Sequence, residues 1–284
     1  MKTLVSIVYL TRNGGYLLGK SLDAVFAQKT DFKFEVIAID SGSTDGTLEL
    51  LEKFPVKVYR IPAHEFNFGL TRDYGFSLAT GDIVIAISQD AIPVGSDWLN
   101  NMIYPFKDDS IVVVQGIDIL PEGEDLFYWD KLRLFYYTRE CKKWIEEHDN
   151  IGMSFTNCAI RRNIWKENLL GRVEMSEDKV FQKRIMEKRL KIYSQLQAKA
   201  FHSHMYNVKS LAKRCENEGM GWRNVTQNYS ISDMICDIFD REIIHFLWRG
   251  IVTREIKRLS ELLFPIIRPI YIYKGNHFAT HYIK

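Results

Sequence analysis

The sequence contains no CxxC pair, because its four cysteines, at positions 141, 158, 215 and 236, are widely spaced. This spacing gives no sign of a zinc site or of a disulfide framework. Disulfide frameworks are typical of oxidising compartments, so we expect the chain to work in the reducing cytoplasm.

Strong charge and long apolar runs are also missing. The formal net charge is +2 over 284 residues, which is too small to indicate nucleic-acid binding. No run approaches the roughly 18 consecutive apolar residues that indicate a transmembrane helix. The apolar run near the N-terminus is short for a signal peptide, so we interpret it as a strand. Apolar residues nevertheless make up 46% of the chain, enough for a sizeable core.

The chain is organised around the stretch GDIVIAISQDAIP, residues 81–93. Its five consecutive apolar residues, 83–87, predict a strand buried on both faces. Ser88, Gln89 and Asp90 follow at the carboxyl end, where open α/β sheets bind ligands. A carboxylate there suits a hard divalent cation that also holds phosphate oxygens. The alternative is that Asp90 only caps the turn before Pro93.

The first ninety residues alternate predicted strands and helices. This pattern predicts βαβ units and a Rossmann-like, mostly parallel sheet flanked by helices. Neither a GxGxxG sequence nor a P-loop occurs, which argues against NAD and ATP. Polar loops at three strand ends still favour a phosphorylated ligand. The predicted strands are 4–10, 34–39, 56–61 and 83–87, and the helices are 16–28, 48–54 and 71–79.

Several motifs together resemble the family 2 glycosyltransferases, and most closely the bacterial rhamnosyltransferases. They are DSGSTDGT (40–47), LTRDYGFSLATG (70–81), SQDA (88–91), TNCAIRR (156–162), Glu177-Asp178 and HSH (202–204), together with 5–13. The resemblance covers roughly residues 3–210. It implies a GT-A catalytic domain over 1–210, inverting transfer from a nucleotide-sugar donor, and a divalent metal. Residues 211–284 are then a helical extension.

The resemblance implies a metal site and a nucleotide site. Asp90 is expected to bind Mg²⁺ or Mn²⁺ with His202, and His204 is the competing candidate. Gln89 would add an oxygen or a hydrogen bond. Imidazole ligation favours Mn²⁺. The residues expected to hold the nucleotide are Thr11, Arg12, Asp40, Ser41 and Arg72.

Asp40 would accept the base imide N–H of uracil or thymine, and Arg72, predicted to open a helix, would bind phosphate. The expected donor is therefore a dTDP- or UDP-sugar, with dTDP-L-rhamnose as first choice. The expected acceptor is a hydroxyl of a cell-surface glycan or a lipid-linked acceptor.

The acidic pair Glu177-Asp178 precedes a predicted helix, 179–188. In the family the catalytic base lies in this pair, normally on the second residue, so Asp178 is the predicted general base. The alternative is that the two carboxylates only interact favourably with the positive, N-terminal end of the helix dipole. That alternative fits Glu177 as well as Asp178.

The second half is predicted to be largely helical, over 126–147, 208–218 and 232–248. From residue 241 onward, eight Lys or Arg residues oppose three Asp or Glu residues, and aromatic and aliphatic residues lie between them. Such a segment suits peripheral contact with an anionic membrane. Alternatively, it packs on the catalytic domain or on a second subunit of a homodimer.

A second interpretation keeps the fold and drops the catalysis. The motif Ser88-Gln89-Asp90 has one carboxylate where the family usually has two. The chain could therefore be a catalytically silent subunit of a glycan-assembly complex that binds nucleotide sugars or glycans. Asp90, Asp178 and Arg72 argue for the enzyme.

Overall fold

The computed structural model describes residues 5–123 and 125–282. Leu4, where the first strand was predicted to begin, lies outside the described residues. The chain divides into two compact units, each made of separate stretches of sequence. The first comprises 1–119, 153–173 and 178–202, and the second comprises 120–152, 174–177 and 203–284.

The first unit is built on an eight-stranded sheet. Its strands are β1 (Val5–Thr11), β2 (Phe34–Asp40), β3 (Val56–Arg60), β4 (Ile83–Ser88), β5 (Ile92–Pro93), β6 (Ile111–Ile119), β7 (Asn157–Arg161) and β8 (Lys191–Phe201). They lie in the order β3-β2-β1-β4-β7-β6-β8-β5. Four of the seven strand pairings are parallel, and three are antiparallel. The predicted α/β fold with a mostly parallel sheet is confirmed.

Helices accompany these strands in the order that the sequence predicts. They are α1 (Gly15–Phe26), α2 (Thr47–Leu51), α3 (Phe68–Ser77), α4 (Trp98–Ile103), α7 (Arg162–Lys166) and α8 (Glu177–Glu187). Short 3₁₀ turns cover Ala63–Glu65 and Tyr104–Lys107. Arg72 therefore lies in the second turn of α3 and does not open the helix, because the Asn67 side chain caps the helix five residues earlier.

Both faces of the sheet are buried, which explains the unbroken apolar runs. On β1, Ile7 and Tyr9 join one core cluster, and Val8 joins the cluster on the opposite face. Gly75 lets α3 approach β1 closely, because a Cβ at this position would lie 2.6 Å from Val8 Cγ1. The close approach fixes α3, which carries Arg72, against the sheet.

The second unit is helical in its described residues. Its helices are α5 (Tyr128–Lys131), α6 (Arg139–Glu147), α9 (Val208–Asn224), α10 (Ile231–Ile238), α11 (Arg241–Val252) and α12 (Leu259–Phe278). The long helices α9 and α12 pack with their backbones close together. A Cβ on Gly219 would lie 2.1 Å from the carbonyl oxygen of Ile272, and one on Gly275 would lie 1.9 Å from that of Glu216.

Two predicted helices are wrong in their extent. Residues 126–147 form α5 and α6 with a break between them, where Arg133 takes the left-handed φ of 60°. Residues 232–248 split into α10 and α11 at Asp240. The Asp240 carboxylate accepts hydrogen bonds from the backbone N–H groups of Glu242 and Ile243 at 3.0 and 3.1 Å. This side-chain cap starts α11, after α10 has ended at Ile238.

Candidate active site

The carboxyl ends of β1 and β4 meet where the strand order reverses, the position at which open α/β sheets bind ligands. Arg12 and Gln89 are hydrogen-bonded to each other across this point. The Arg12 backbone N–H donates to Gln89 Oε1 at 2.9 Å, and Gln89 Nε2 donates to the Arg12 carbonyl at 3.1 Å. Gln89 thus ties the two strand-end loops together.

Asp40 ends β2 beside Thr11, as predicted, and it is fully buried. Its carboxylate accepts from the backbone N–H groups of Gly42 and Ser43, both at 3.0 Å. It also accepts from the Ser43 and Thr11 hydroxyls at 2.5 and 3.4 Å. Ser41 donates to the Thr11 carbonyl at 3.2 Å. Asp40 therefore braces the loop that follows β2, and base recognition by Asp40 or Ser41 stays a prediction.

Asp90 and His202 lie together because of how β5, β6 and β8 pair. Ile92 of β5 pairs with Phe201 at the end of β8, which places Asp90 near the next residue, His202. The His202 backbone N–H also donates to the Ile119 carbonyl at 3.0 Å. His202 Nε2 lies 3.6 Å from Asp90 Oδ1.

Asp118 approaches the other nitrogen of the same imidazole. Its Oδ2 lies 3.8 Å from His202 Nδ1. The side chains of Asp90, Asp118 and His202 are 25%, 30% and 18% exposed. All three are therefore accessible to a small ligand while being held by the sheet.

These residues form a donor set that fits a divalent cation. His204 follows two residues after His202, and one ligand atom each from Asp90, His202 and His204 lies within 4.8 Å of the others. A carboxylate with imidazoles suits Mn²⁺, whereas Mg²⁺ prefers oxygen ligands. Both histidines that the sequence left as alternatives thus lie in the same cluster.

Asp178 lies in the first turn of α8, which begins at Glu177, two residues earlier than predicted. Its Oδ1 accepts from the Lys179 backbone N–H at 2.7 Å, and its Oδ2 lies 3.8 Å from Lys179 Nζ. The Lys179 ammonium also donates to the Met153 carbonyl. The Asp178 side chain is 19% exposed, whereas Glu177 is 6% exposed and buried. Of the acidic pair, Asp178 is thus the one more open to an acceptor.

Arg72 is buried, with its guanidinium 4.7 Å from the centre of the Phe155 ring. The charges of Arg72 and Asp178 both affect the pKa of the Cys158 thiol. Burial raises the pKa of Cys158, the Asp178 charge raises it further, and Arg72 and Lys179 lower it. The first unit thus holds Arg72 and Asp178 around the same strand, β7.

Sequence reasoning missed Asp118 and Lys179. Asp118 belongs to none of the motifs, but it lies near the carboxyl end of β6, which is parallel to β8. Parallel strands end at the same edge of a sheet, so recognising β6 and β8 as neighbours would have found Asp118. Lys179 carried no signal beyond its position next to Asp178.

The glycosyl transferase family 2 profile matches residues 6–169, more than half of the chain. The chain belongs to glycosyl transferase family 2. The matched region contains Thr11, Arg12, Asp40, Arg72 and Asp90. The resemblance inferred from the motifs is therefore confirmed.

Two curated relatives of this family member are O-antigen chain rhamnosyltransferases. RfbN of Salmonella typhimurium is 27% identical over 226 residues, which cover 76% of this chain and 71% of the relative. WbaN of Salmonella anatum is 26% identical over 224 residues, with the same coverage of both chains. Rhamnosyltransferase homology is thus shown, at moderate identity.

Solved structures confirm the GT-A fold. The mannosyltransferase PcManGT of Pyrobaculum calidifontis, solved with GDP-Man and Mn²⁺, has a TM-score of 0.63 at 14% identity. The match covers 97% of this chain and 87% of that one. S. aureus TarS 1–349, solved with UDP-GlcNAc, has a TM-score of 0.56 at 16% identity. It covers 95% and 82% of the two chains. At these identities the likeness shows the fold alone.

Proposed function

We propose that this family 2 glycosyltransferase transfers L-rhamnose from dTDP-L-rhamnose, with inversion, to a hydroxyl of a cell-surface glycan or of a lipid-linked acceptor. The single observation that carries the reaction is the Asp90–His202 pair at the ligand-binding edge of the sheet. The donor sugar rests on the similarity to RfbN and WbaN. We place the enzyme in the cytoplasm, at the inner face of the membrane if its acceptor is lipid-linked.

The metal would be held by Asp90 and His202, with His204 in reach. A divalent cation held by these residues would supply positive charge to offset the negative charge that develops on the departing diphosphate. The Asp118 carboxylate, 3.8 Å from His202 Nδ1, would be placed to orient the ring, as carboxylates beside metal-binding histidines are. Arg72 adds a fixed positive charge for the phosphates, which its planar guanidinium suits. Thr11 and Asp40 lie at the ends of β1 and β2, where the loops that follow would contact the base and the ribose.

Asp178 is the proposed general base. It accepts the proton of the acceptor hydroxyl as that oxygen bonds to the anomeric carbon. The bond from the anomeric carbon to the diphosphate breaks, and the nucleoside diphosphate leaves with its electron pair. Lys179 Nζ lies 3.8 Å from Asp178 Oδ2 and places a positive charge beside the proposed base. One base suffices, because a single displacement inverts the anomeric centre.

The test compares donors, metal and the Asp90→Asn variant. Calorimetry with dTDP-L-rhamnose, UDP-sugars and GDP-mannose, with and without Mn²⁺, should show preferential, Mn²⁺-dependent binding of dTDP-L-rhamnose. Asp90→Asn should weaken Mn²⁺ binding by at least the roughly 10–100-fold that outer-shell partners typically cost. Turnover should fall with it.

The matched control is Asp31→Asn, because Asp31 is exposed and precedes β2 at the edge opposite to Asp40. This variant should bind metal and donor normally. Full activity of Asp90→Asn in the presence of a chelator would sink the metal assignment. If only purine nucleotides bind, the proposed identity of the donor is wrong. Donor binding without any transfer or hydrolysis would favour a silent binding subunit.

A further inference from the structure

Tyr136 presents an aromatic ring at the surface, in the segment between α5 and α6 of the second unit. The residue is 50% exposed, yet three neighbours hold its side chain. The Arg214 guanidinium donates a hydrogen bond to the Tyr136 hydroxyl at 3.3 Å. The Phe135 ring meets the Tyr136 ring edge to face, with the centres 5.0 Å apart, and the Arg268 guanidinium lies 5.4 Å from the Tyr136 ring centre. The exposed ring is therefore preorganised, which reduces the entropy lost when a ligand binds to it.

Arg214 adds hydrogen-bond donors beside this ring. It lies on α9, and its side chain is 27% exposed. Among the described residues, its Nη2 contacts the Tyr136 hydroxyl and, at 3.8 Å, the Glu218 carboxylate. A guanidinium carries five N–H donors. Because Tyr136 and Glu218 engage only Nη2, the donors on Nε and Nη1 are available to a ligand.

Aromatic side chains connect this ring to His204. The Phe135 ring stacks on the Tyr206 ring, with the centres 5.5 Å and the planes 25° apart. The Tyr206 ring centre lies 5.8 Å from that of His204. Burial raises the pKa of the Tyr206 hydroxyl, nearby Arg214 lowers it, and Tyr136 raises it further. We call Tyr136, Tyr206 and Arg214 the Tyr136 platform, and it adjoins His204 of the metal cluster.

The exposed apolar area at Tyr136 is that of a single ring. Its chain neighbours Phe135 and Tyr137 are buried, so the ring does not extend into the wide apolar patch that a protein partner covers. A single ring matches one sugar. One face of a pyranose is a layer of C–H groups that packs on an aromatic ring. The hydroxyls at its rim accept hydrogen bonds from a few well-placed polar groups, such as the Arg214 guanidinium.

We propose that the Tyr136 platform binds one sugar residue of the acceptor glycan. Tyr136 packs on the C–H face of that sugar, and Arg214 donates hydrogen bonds to its hydroxyls. The residues proposed to hold the nucleotide all lie in the first unit, whereas the platform lies in the second, which assigns it to the other substrate. Calling that substrate the acceptor rests on the proposed transfer reaction. The sugar site itself does not, because its binding is measured without transfer.

The experiment is saturation-transfer difference NMR of the full chain with the methyl glycosides of rhamnose, mannose, galactose and glucose. We expect binding of at least one glycoside, with the strongest transfer to the C–H protons of one ring face. Tyr136→Ala should weaken that binding by about tenfold, because it removes the aromatic contact. Tyr136→Phe keeps the ring and should stay within about threefold. Arg214→Lys keeps the charge beside Glu218 but loses the planar donors, and should weaken binding by about two- to tenfold.

Tyr104→Ala is the matched control. Tyr104 is 64% exposed, and the Lys107 ammonium lies 4.6 Å from its ring centre, so it is another exposed tyrosine beside a cation. This variant should bind the glycosides like the unmodified chain. Tyr136→Ala should still bind dTDP-L-rhamnose with Mn²⁺ as the unmodified chain does.

The proposal is wrong if no glycoside binds, or if Tyr136→Ala and Arg214→Lys both bind as tightly as the unmodified chain. Loss of donor binding in Tyr136→Ala would make the effect of that substitution structural and would also refute the proposal. Glycoside binding that Tyr136→Ala weakens, in a chain that transfers no sugar, would support the platform and refute the proposed transfer reaction.

Discussion

Arg268 is a charged side chain with no exposed surface, in the middle of α12. Its guanidinium donates to Glu218 through two nitrogens, at 2.7 and 3.3 Å, and to the Thr138 hydroxyl at 3.3 Å. It also lies over the Phe135 and Tyr136 rings, 4.8 and 5.4 Å from their centres. We predict that Arg268→Met, which keeps the length of the side chain but removes its charge, strongly destabilises the second unit.

The magnitude follows from what the substitution leaves behind. Removing one partner of a buried ion pair typically costs about 3–5 kcal/mol, because the remaining charge is uncompensated. Glu218 keeps one cation, Arg214, whose Nη2 lies 3.8 Å from Glu218 Oε2. That residual contact places the expected loss near the lower end, at about 3 kcal/mol of the free energy of unfolding.

Urea unfolding followed by circular dichroism measures this loss, and hydrogen exchange in α9 and α12 assigns it to the second unit. Arg249→Met is the control, because Arg249 is exposed and its loss should change stability by less than about 0.5 kcal/mol. Adding Glu218→Leu to Arg268→Met should recover much of the loss, since an apolar pair replaces the ion pair. A loss below about 1 kcal/mol for the single variant, or no recovery in the double variant, would refute this reasoning.

Two further predictions concern carboxyl groups. Asp178→Asn should lower turnover by about 10²–10⁴-fold with donor binding unchanged, while Glu177→Gln is milder. Steady-state rates and calorimetry measure both, and a dead Glu177→Gln beside a near-normal Asp178→Asn would make Glu177 the base. Burial, only partly opposed by Arg268 and Thr138, raises the pKa of Glu140 from 4.5 to about 8. Its stabilising contribution is therefore complete below pH 4.5 and is lost as the pH rises through about 8. Glu140→Gln should gain stability relative to the unmodified chain over that range, and parallel urea-unfolding stabilities across it would contradict the prediction.

The sequence by itself determined the first four strands and their polar ends. Short runs of β-branched residues bounded by Gly, Asp and Pro are typical of short strands that are buried on both faces. Asp40 and Asp90 therefore fall at strand ends in the structure, as their positions predicted. The family follows from the same stretches, because its motifs are the loops after these strands.

Local signals were weaker in the second half. The apolar periodicity of residues 126–147 and 232–248 predicts helices, but not the breaks at Arg133 and Asp240. A left-handed residue and a side-chain cap each interrupt a helix without changing its hydrophobic pattern. The sequence places Phe264 and Ile267 in a segment that was predicted to lie at a surface, but both side chains are buried on α12. Burial depends on which helix packs alongside, and the spacing within α12 does not specify that.

The family resemblance paired Asp90 with His202, but only the tertiary structure showed that Asp118 approaches the same imidazole. Asp90, Asp118 and His202 belong to three chain segments, joined because β5, β6 and β8 are neighbours in the sheet. Strand neighbours are chosen by packing and pairing across the whole sheet, and each strand's own sequence fits several partners. A strand end can therefore be predicted from the sequence, but a side chain such as Asp118, which lies in no motif and comes from a neighbouring strand, cannot.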